Sequence, residues 1–152
     1  MELASVVQRG LAIVDHGAPD ADTVLGWLAQ AAAPELGMAA ANLHEALRRR
    51  ERLCPTALPE GVALPHAITS VIPRTLVIPM VVPAGVVLDA DQPKSDVIIG
   101  LFGNMSTPDQ HIRTLARLAR IANDPGALRA LRGARTPDEL VHRLLEQDAV
   151  HA

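Results

Sequence analysis

Residues 97–102 constrain the fold of this chain more than any other segment. They read Val-Ile-Ile-Gly-Leu-Phe, with no polar side chain at either parity. A strand built from such a run needs an apolar layer on both of its faces. Each large side chain left facing water would forgo about 1.5–3 kcal/mol of burial. The sequence on either side supplies those layers. Val24, Leu25, Leu28 and Ala32 stand at helical spacing and predict a first helix over residues 23–33, with Pro34 following. Leu43, Ala46, Leu47 and Arg50 at i, i+3, i+4 and i+7 predict a second over about 39–53. Beyond the apolar run, Thr107 as N-cap and Pro108 in the first turn open a third helix to about residue 122. Two more are predicted over 125–131 and 137–145, with Gly133 between them and Thr136 as a cap.

Short strands are expected between the second and third helices, over 62–64, 75–82 and 86–88. Pro79 cannot donate to a ladder, so the second of these is expected at a sheet edge or to carry a bulge. Helices before, beside and after several strands predict an α/β fold, a three-layer domain with a mixed, partly parallel sheet flanked by helices. At 152 residues and 49% hydrophobic content the chain can bury one substantial core, and residues 1–152 are expected to form one domain.

Composition narrows the function classes. Only 1% of residues are aromatic, Trp27 and Phe102 alone, so base stacking on single-stranded nucleic acid is not expected. Net charge is −3 and the one dense basic run, 48–52, includes Glu51, which reads as a solvated helix end and not as a nucleic-acid patch. Cys54 is the sole cysteine, which excludes an intramolecular disulfide and suits a reducing compartment; it reads as a small apolar residue. No basic segment followed by an apolar run opens the chain, and the longest apolar stretch, 75–88, is interrupted by Pro79, Pro83 and Gly85. A cytoplasmic protein not inserted in a membrane is therefore expected. There is no Gly-rich Lys loop that would cradle a nucleotide phosphate, and no cofactor is implied. His16, His44, His142 and His151 are scattered without paired ligand spacing, and are expected on the surface with no metal assigned.

Two histidines and one arginine remain. His66 stands behind Pro65 and is expected to follow a strand end; His111 is expected in the first turn of a helix, facing inward; Arg50 shares the inward stripe of the second helix. An inward guanidinium requires an acceptor, and a carboxylate such as Glu45 or Asp96 would serve as well as a ligand. If the three meet, a helix N-terminus, a forked cation and a neutral imidazole together describe a phosphate site with a nitrogen nucleophile.

The order Arg50-Glu51, Pro55-Thr56, Gly61-Val62-Ala63-Leu64, Pro65-His66, followed by Asp109-Gln110-His111 and the helix after it, resembles the enzyme IIA domain of the bacterial phosphoenolpyruvate-dependent phosphotransferase system, of the fructose, mannitol and nitrogen-related type. The likeness runs from about residue 20 to 145. It implies that His66 is phosphorylated, with His111 and Arg50 supporting the phosphate. It also implies a histidine-containing phosphocarrier protein as donor and a IIB domain or a regulatory target as acceptor, in sugar transport or nitrogen regulation. Two places depart from the family pattern. Ala67 and Ile68 follow Pro-His where a Gly and a basic residue are common, and the turn 57–60 lacks the usual glycines. The alternative expectation is an interaction module of the same fold that is not phosphorylated.

Overall fold

The computed structural model describes residues 2–151. After a 3₁₀ turn at Leu3–Ser5, the elements are β1 (Ile13–Val14), α1 (Ala21–Leu36), α2 (Ala40–Leu53), β2 (Val62–Ala63), β3 (His66–Thr69), β4 (Leu76–Val86), β5 (Ser95–Asn104), α3 (Pro108–Ala122), α4 (Pro125–Arg132) and α5 (Pro137–Val150). The strands form one mixed sheet in the order β1-β4-β5-β2, with β3 also on β5. Only β4 and β5 are antiparallel; the other pairings are parallel. Helices cover both faces, which is the three-layer α/β architecture the sequence predicts.

β5 carries the apolar run, and its parity divides the core. Val97, Ile99 and Leu101 face the layer of α3, α4 and α5, whereas Ile98 and Phe102 face α1 and α2. Gly100 lies on the α1 face, where a Cβ would stand 3.0 Å from a Leu28 methyl, so the missing side chain lets α1 press onto the sheet.

β2 and β3 keep one register against β5, Val62 opposite Val97, Ala63 opposite Ile98 and His66 opposite Leu101. They are a single edge line interrupted at Leu64 and Pro65. Along it the carbonyls of Gly61 and Pro65 accept from Val97 and Leu101 of β5. By alternation, the carbonyl of Leu64 is turned to the open edge, outside the ladder.

Several elements differ from expectation. β4 is interior, between β1 and β5, although it contains Pro79. Val77 donates to Val6 and Val81 accepts from Asp15, so the proline nitrogen is aimed at this same flank and costs β4 no donor toward β5. α1 continues past Pro34 to Leu36, which is buried in the core, and ends at Gly37 with φ of 62°. The proline falls in the last turn and removes one donor, while burial of Leu36 offsets the loss. Val86 ends β4 beyond an irregularity in register and is not the start of a separate strand; Val87 and Leu88 lie outside it. α5 extends to Val150. Thr107 occupies the N-cap position of α3 without capping, since its hydroxyl donates back to the Asn104 carbonyl. Thr136 caps α5 as expected, accepting from the Glu139 amide. β1 and β3 were not predicted: two and four residues are too short for a periodic signal.

Candidate functional site

The three sequence-predicted residues reach the same edge of the sheet from different elements. His66 is the first residue of β3, a correction to the expectation that it lies past a strand end. It remains paired to β5, so its backbone is held by the ladder. Its ring is fixed at both nitrogens. Nδ1 lies 2.9 Å from the Leu64 carbonyl, an acceptor only, so Nδ1 carries the proton. Nε2 then bears the lone pair and accepts from Arg50 Nε at 3.0 Å. Burial holds His66 below the ordinary imidazole range; Arg50 and His111 push the same way, against the Leu64 carbonyl and Glu51. The resting ring is therefore a neutral imidazole with its basic nitrogen at a guanidinium.

Arg50 comes from the last turn of α2 and is half-buried. Neither carboxylate considered for it is its partner. Glu45 pairs with Arg48, Arg49 and Arg52, and Asp96 with Arg132. Arg50 donates instead to His66 and, through Nη1 at 2.6 Å, to the Cys54 carbonyl. Among the described residues it forms no ion pair, which leaves its charge available to an anion.

His111 lies in the first turn of α3, on the other side of the sheet, near Gly103 of β5. A Cβ on Gly103 would stand 3.1 Å from Ile68 Cδ1 and 3.5 Å from the His111 Cβ, so the glycine makes room for Ile68 and leaves His111 at ordinary contact. His111 Nδ1 is buried without a hydrogen-bond partner. A proton there would find no acceptor, so Nε2 is the ring nitrogen able to serve as a donor. The rest of α3 turns Leu118, Ile121 and Ala122 inward with Thr114, while Ile112 is exposed.

His66 and Arg50 line a cleft of ≈ 320 Å³ between α2 and β3, floored by Ala46, Ala67 and Ile68 with Arg49 and Leu53 at its rim. His111 is not part of its wall. It packs beside Gly103 on the sheet face that His66 shares with Leu101, while Arg50 reaches the ring from α2 over the sheet edge. Leu53, Val71, Met105 and Ile112 are exposed apolar side chains on segments adjoining this site.

Sequence reasoning missed Glu51. Its carboxylate accepts from the Thr56 amide at 3.2 Å and from the Thr56 hydroxyl, and so ties down the turn after α2. The Arg50-Glu51 motif pointed to the position without revealing the task. The turn 57–61 obtains its one left-handed residue from Gly61, φ 80°, where Arg132 lies against the glycine and donates to the Glu60 carbonyl. Of the other histidines, His44 and His151 are half-buried against Asp22 and Asp124 instead of free on the surface. Among the described residues no group of three or more His, Cys, Asp and Glu could hold a metal ion.

Residues 5–147 match the family model described as phosphoenolpyruvate-dependent sugar phosphotransferase system, EIIA 2. The chain belongs to this family. That membership gives it a phosphocarrier or regulatory role within a phosphotransferase system. A relative from Klebsiella oxytoca, a nitrogen regulatory protein, is 26% identical over 121 residues, 78% of this chain and 75% of its own length. Among solved structures, nitrogen regulatory protein IIA-Ntr of Neisseria meningitidis superposes with a TM-score of 0.84 at 17% identity, covering 93% of this chain and 98% of its own. The IIA mannitol protein of Escherichia coli gives 0.72 at 20% identity, covering 88% and 95%. At such identities these likenesses concern the fold. Among the described residues no helix is long and apolar enough to cross a membrane.

Proposed function

We propose that this chain is a histidine phosphocarrier in which His66 Nε2 takes a phosphoryl group from a histidine-phosphorylated carrier protein and passes it to a IIB-type domain or a regulatory target. The observation that carries the reading is the state of His66: Nδ1 protonated toward the Leu64 carbonyl, Nε2 unprotonated and facing a guanidinium that no acid among the described residues neutralises. The Nε2 lone pair forms the new N–P bond, and the electron pair of the breaking N–P bond returns to the donor's imidazole. The ring then bears positive charge, which the Leu64 carbonyl stabilises through Nδ1–H. Arg50 passes its Nε–H from His66 to a phosphoryl oxygen, and His111 offers its Nε2–H as a second donor. Transfer onward reverses these steps. The work is positioning and charge stabilisation, without metal or nucleotide.

Kinship supports such an acceptor: the mannitol IIA of E. coli, 19% identical, has been solved in a complex with phosphorylated IIB. The exposed apolar side chains near His66 suit docking of such partners. We read residues 1–152 as one domain acting in the cytoplasm.

The test is incubation with phosphoenolpyruvate, enzyme I and the carrier protein, followed by intact mass at neutral pH. A gain of one phosphoryl group that is acid-labile and absent from His66→Ala is expected. No gain with cognate donors would overturn the reading and leave the alternative, an interaction module that uses the same face.

A further inference from the structure

We propose that Glu51 is a positioning residue for phosphoryl transfer: through Thr56 it fixes the carbonyl that anchors Arg50, and it does so without neutralising Arg50. This rests on the phosphocarrier reading above.

In the resting site the Arg50 guanidinium is held at two points, Nε on His66 and Nη1 on the Cys54 carbonyl. Transfer removes the first, because the lone pair that accepts from Nε becomes the N–P bond. The Cys54 carbonyl is then the remaining protein anchor, and it belongs to a segment outside α2, which ends at Leu53. Cys54 is exposed and extended, with φ of −161°; its N–H still closes the helix on the Arg50 carbonyl at 3.3 Å, but its own carbonyl lies beyond that bond. What restrains the next residues is Glu51, whose carboxylate takes both the amide and the hydroxyl proton of Thr56. Glu51 also adjoins Arg50 in sequence, and an acid there that paired with the guanidinium would remove the charge a phosphoryl group needs. Its two oxygens are committed to Thr56 instead, so it supplies rigidity without pairing with the guanidinium. A misplacement of the guanidinium by about 1 Å costs on the order of 10²-fold in rate, which sets the scale.

The experiment combines solvent exchange of the Arg50 Nε–H by NMR with single-turnover phosphotransfer in the full chain. In the wild type that proton is expected to be protected. Glu51→Ala should lose the protection and slow transfer by roughly tenfold or more, Glu51→Gln should recover part of both, and Thr56→Val should act in the same direction more weakly with the fold intact. Glu51→Ala combined with Arg50→Ala should be no slower than Arg50→Ala alone. Protection and rate unchanged in Glu51→Ala and Thr56→Val, or effects that multiply in the double variant, would overturn the proposal. A wild-type chain that accepts no phosphoryl group would sink the phosphocarrier reading, while the exchange arm would still decide whether Glu51 holds Arg50.

Discussion

Helix α2 carries two arginine–histidine arrangements, and they differ in one component. Near its start, His44 and Arg48 converge on Asp22 of α1: Arg48 donates through Nε and Nη2 to the two carboxylate oxygens at 2.6 and 2.8 Å, and His44 Nε2 lies 3.1 Å from one of them. At its end, Arg50 and His66 face each other without an acid. The first arrangement is electrostatically closed. Arg48 holds Asp22 down to about 2, so the carboxylate stays charged across the working range and nothing is left for a ligand. The second is open, with a basic nitrogen and a cation whose only partners among the described residues are that nitrogen and a neutral carbonyl. The contrast teaches that residue types alone do not mark a site; the missing carboxylate does.

The strongest way to break this comparison is to truncate both arginines. Arg50→Ala should slow phosphotransfer by about 10²-fold, the scale of losing one preorganised donor to a developing charge, while Arg48→Ala should leave the rate near wild type. Equal losses in a single-turnover assay would end the distinction. Next in size is Gly103→Ala, whose Cβ would stand 3.1 Å from Ile68 Cδ1, so that Ile68, which lines the cleft with His66, must give by a few tenths of an ångström. A several-fold loss of rate is expected, with stability little changed by thermal melt; a rate equal to wild type would show that the Ile68 side of the cleft does not set the geometry of transfer.

A smaller effect concerns pH. His66 is held below the ordinary imidazole value of about 6.5 by burial and in part by Arg50. The neutral nucleophile therefore persists below that value, and transfer declines as pH falls through the lowered one. Stability follows the same sign: the unfolded ring takes a proton first, so the folded state loses stability as pH drops from about 6.5 to the native value. Removing Arg50 removes a positive neighbour, so a His66 NMR titration in Arg50→Ala should move up; a downward movement would contradict the arrangement. The least effect is expected for Asp22→Asn, a lowered melting midpoint at low salt that shrinks at high salt, with phosphotransfer unchanged.

Much of this was legible in the sequence, element by element. The stripe Leu43, Ala46, Leu47, Arg50 pointed one arginine of a basic cluster inward, and the apolar run at 97–102 required two covering layers, because both are periodic patterns that backbone geometry converts directly into faces. Pro79 misled for a comparable reason: its chemistry restricts one flank of the strand, and only the pairing shows that this flank is the one turned away from β5. β3 was invisible because four residues carry no period and its pairing with β5 is long-range.

The sequence by itself determined the layers, the helix start set by Thr136, and which histidine stands behind a proline, since these depend on side-chain period and local torsion. Only the tertiary structure decided that Asp22 would take Arg48, that Glu45 and Asp96 would be occupied elsewhere, and that Arg50 would meet His66 over the sheet edge with His111 behind it. Charge pairing within about 4 Å is a matter of three-dimensional competition among acids and bases, and no spacing along the chain reveals which cation will be left without a partner.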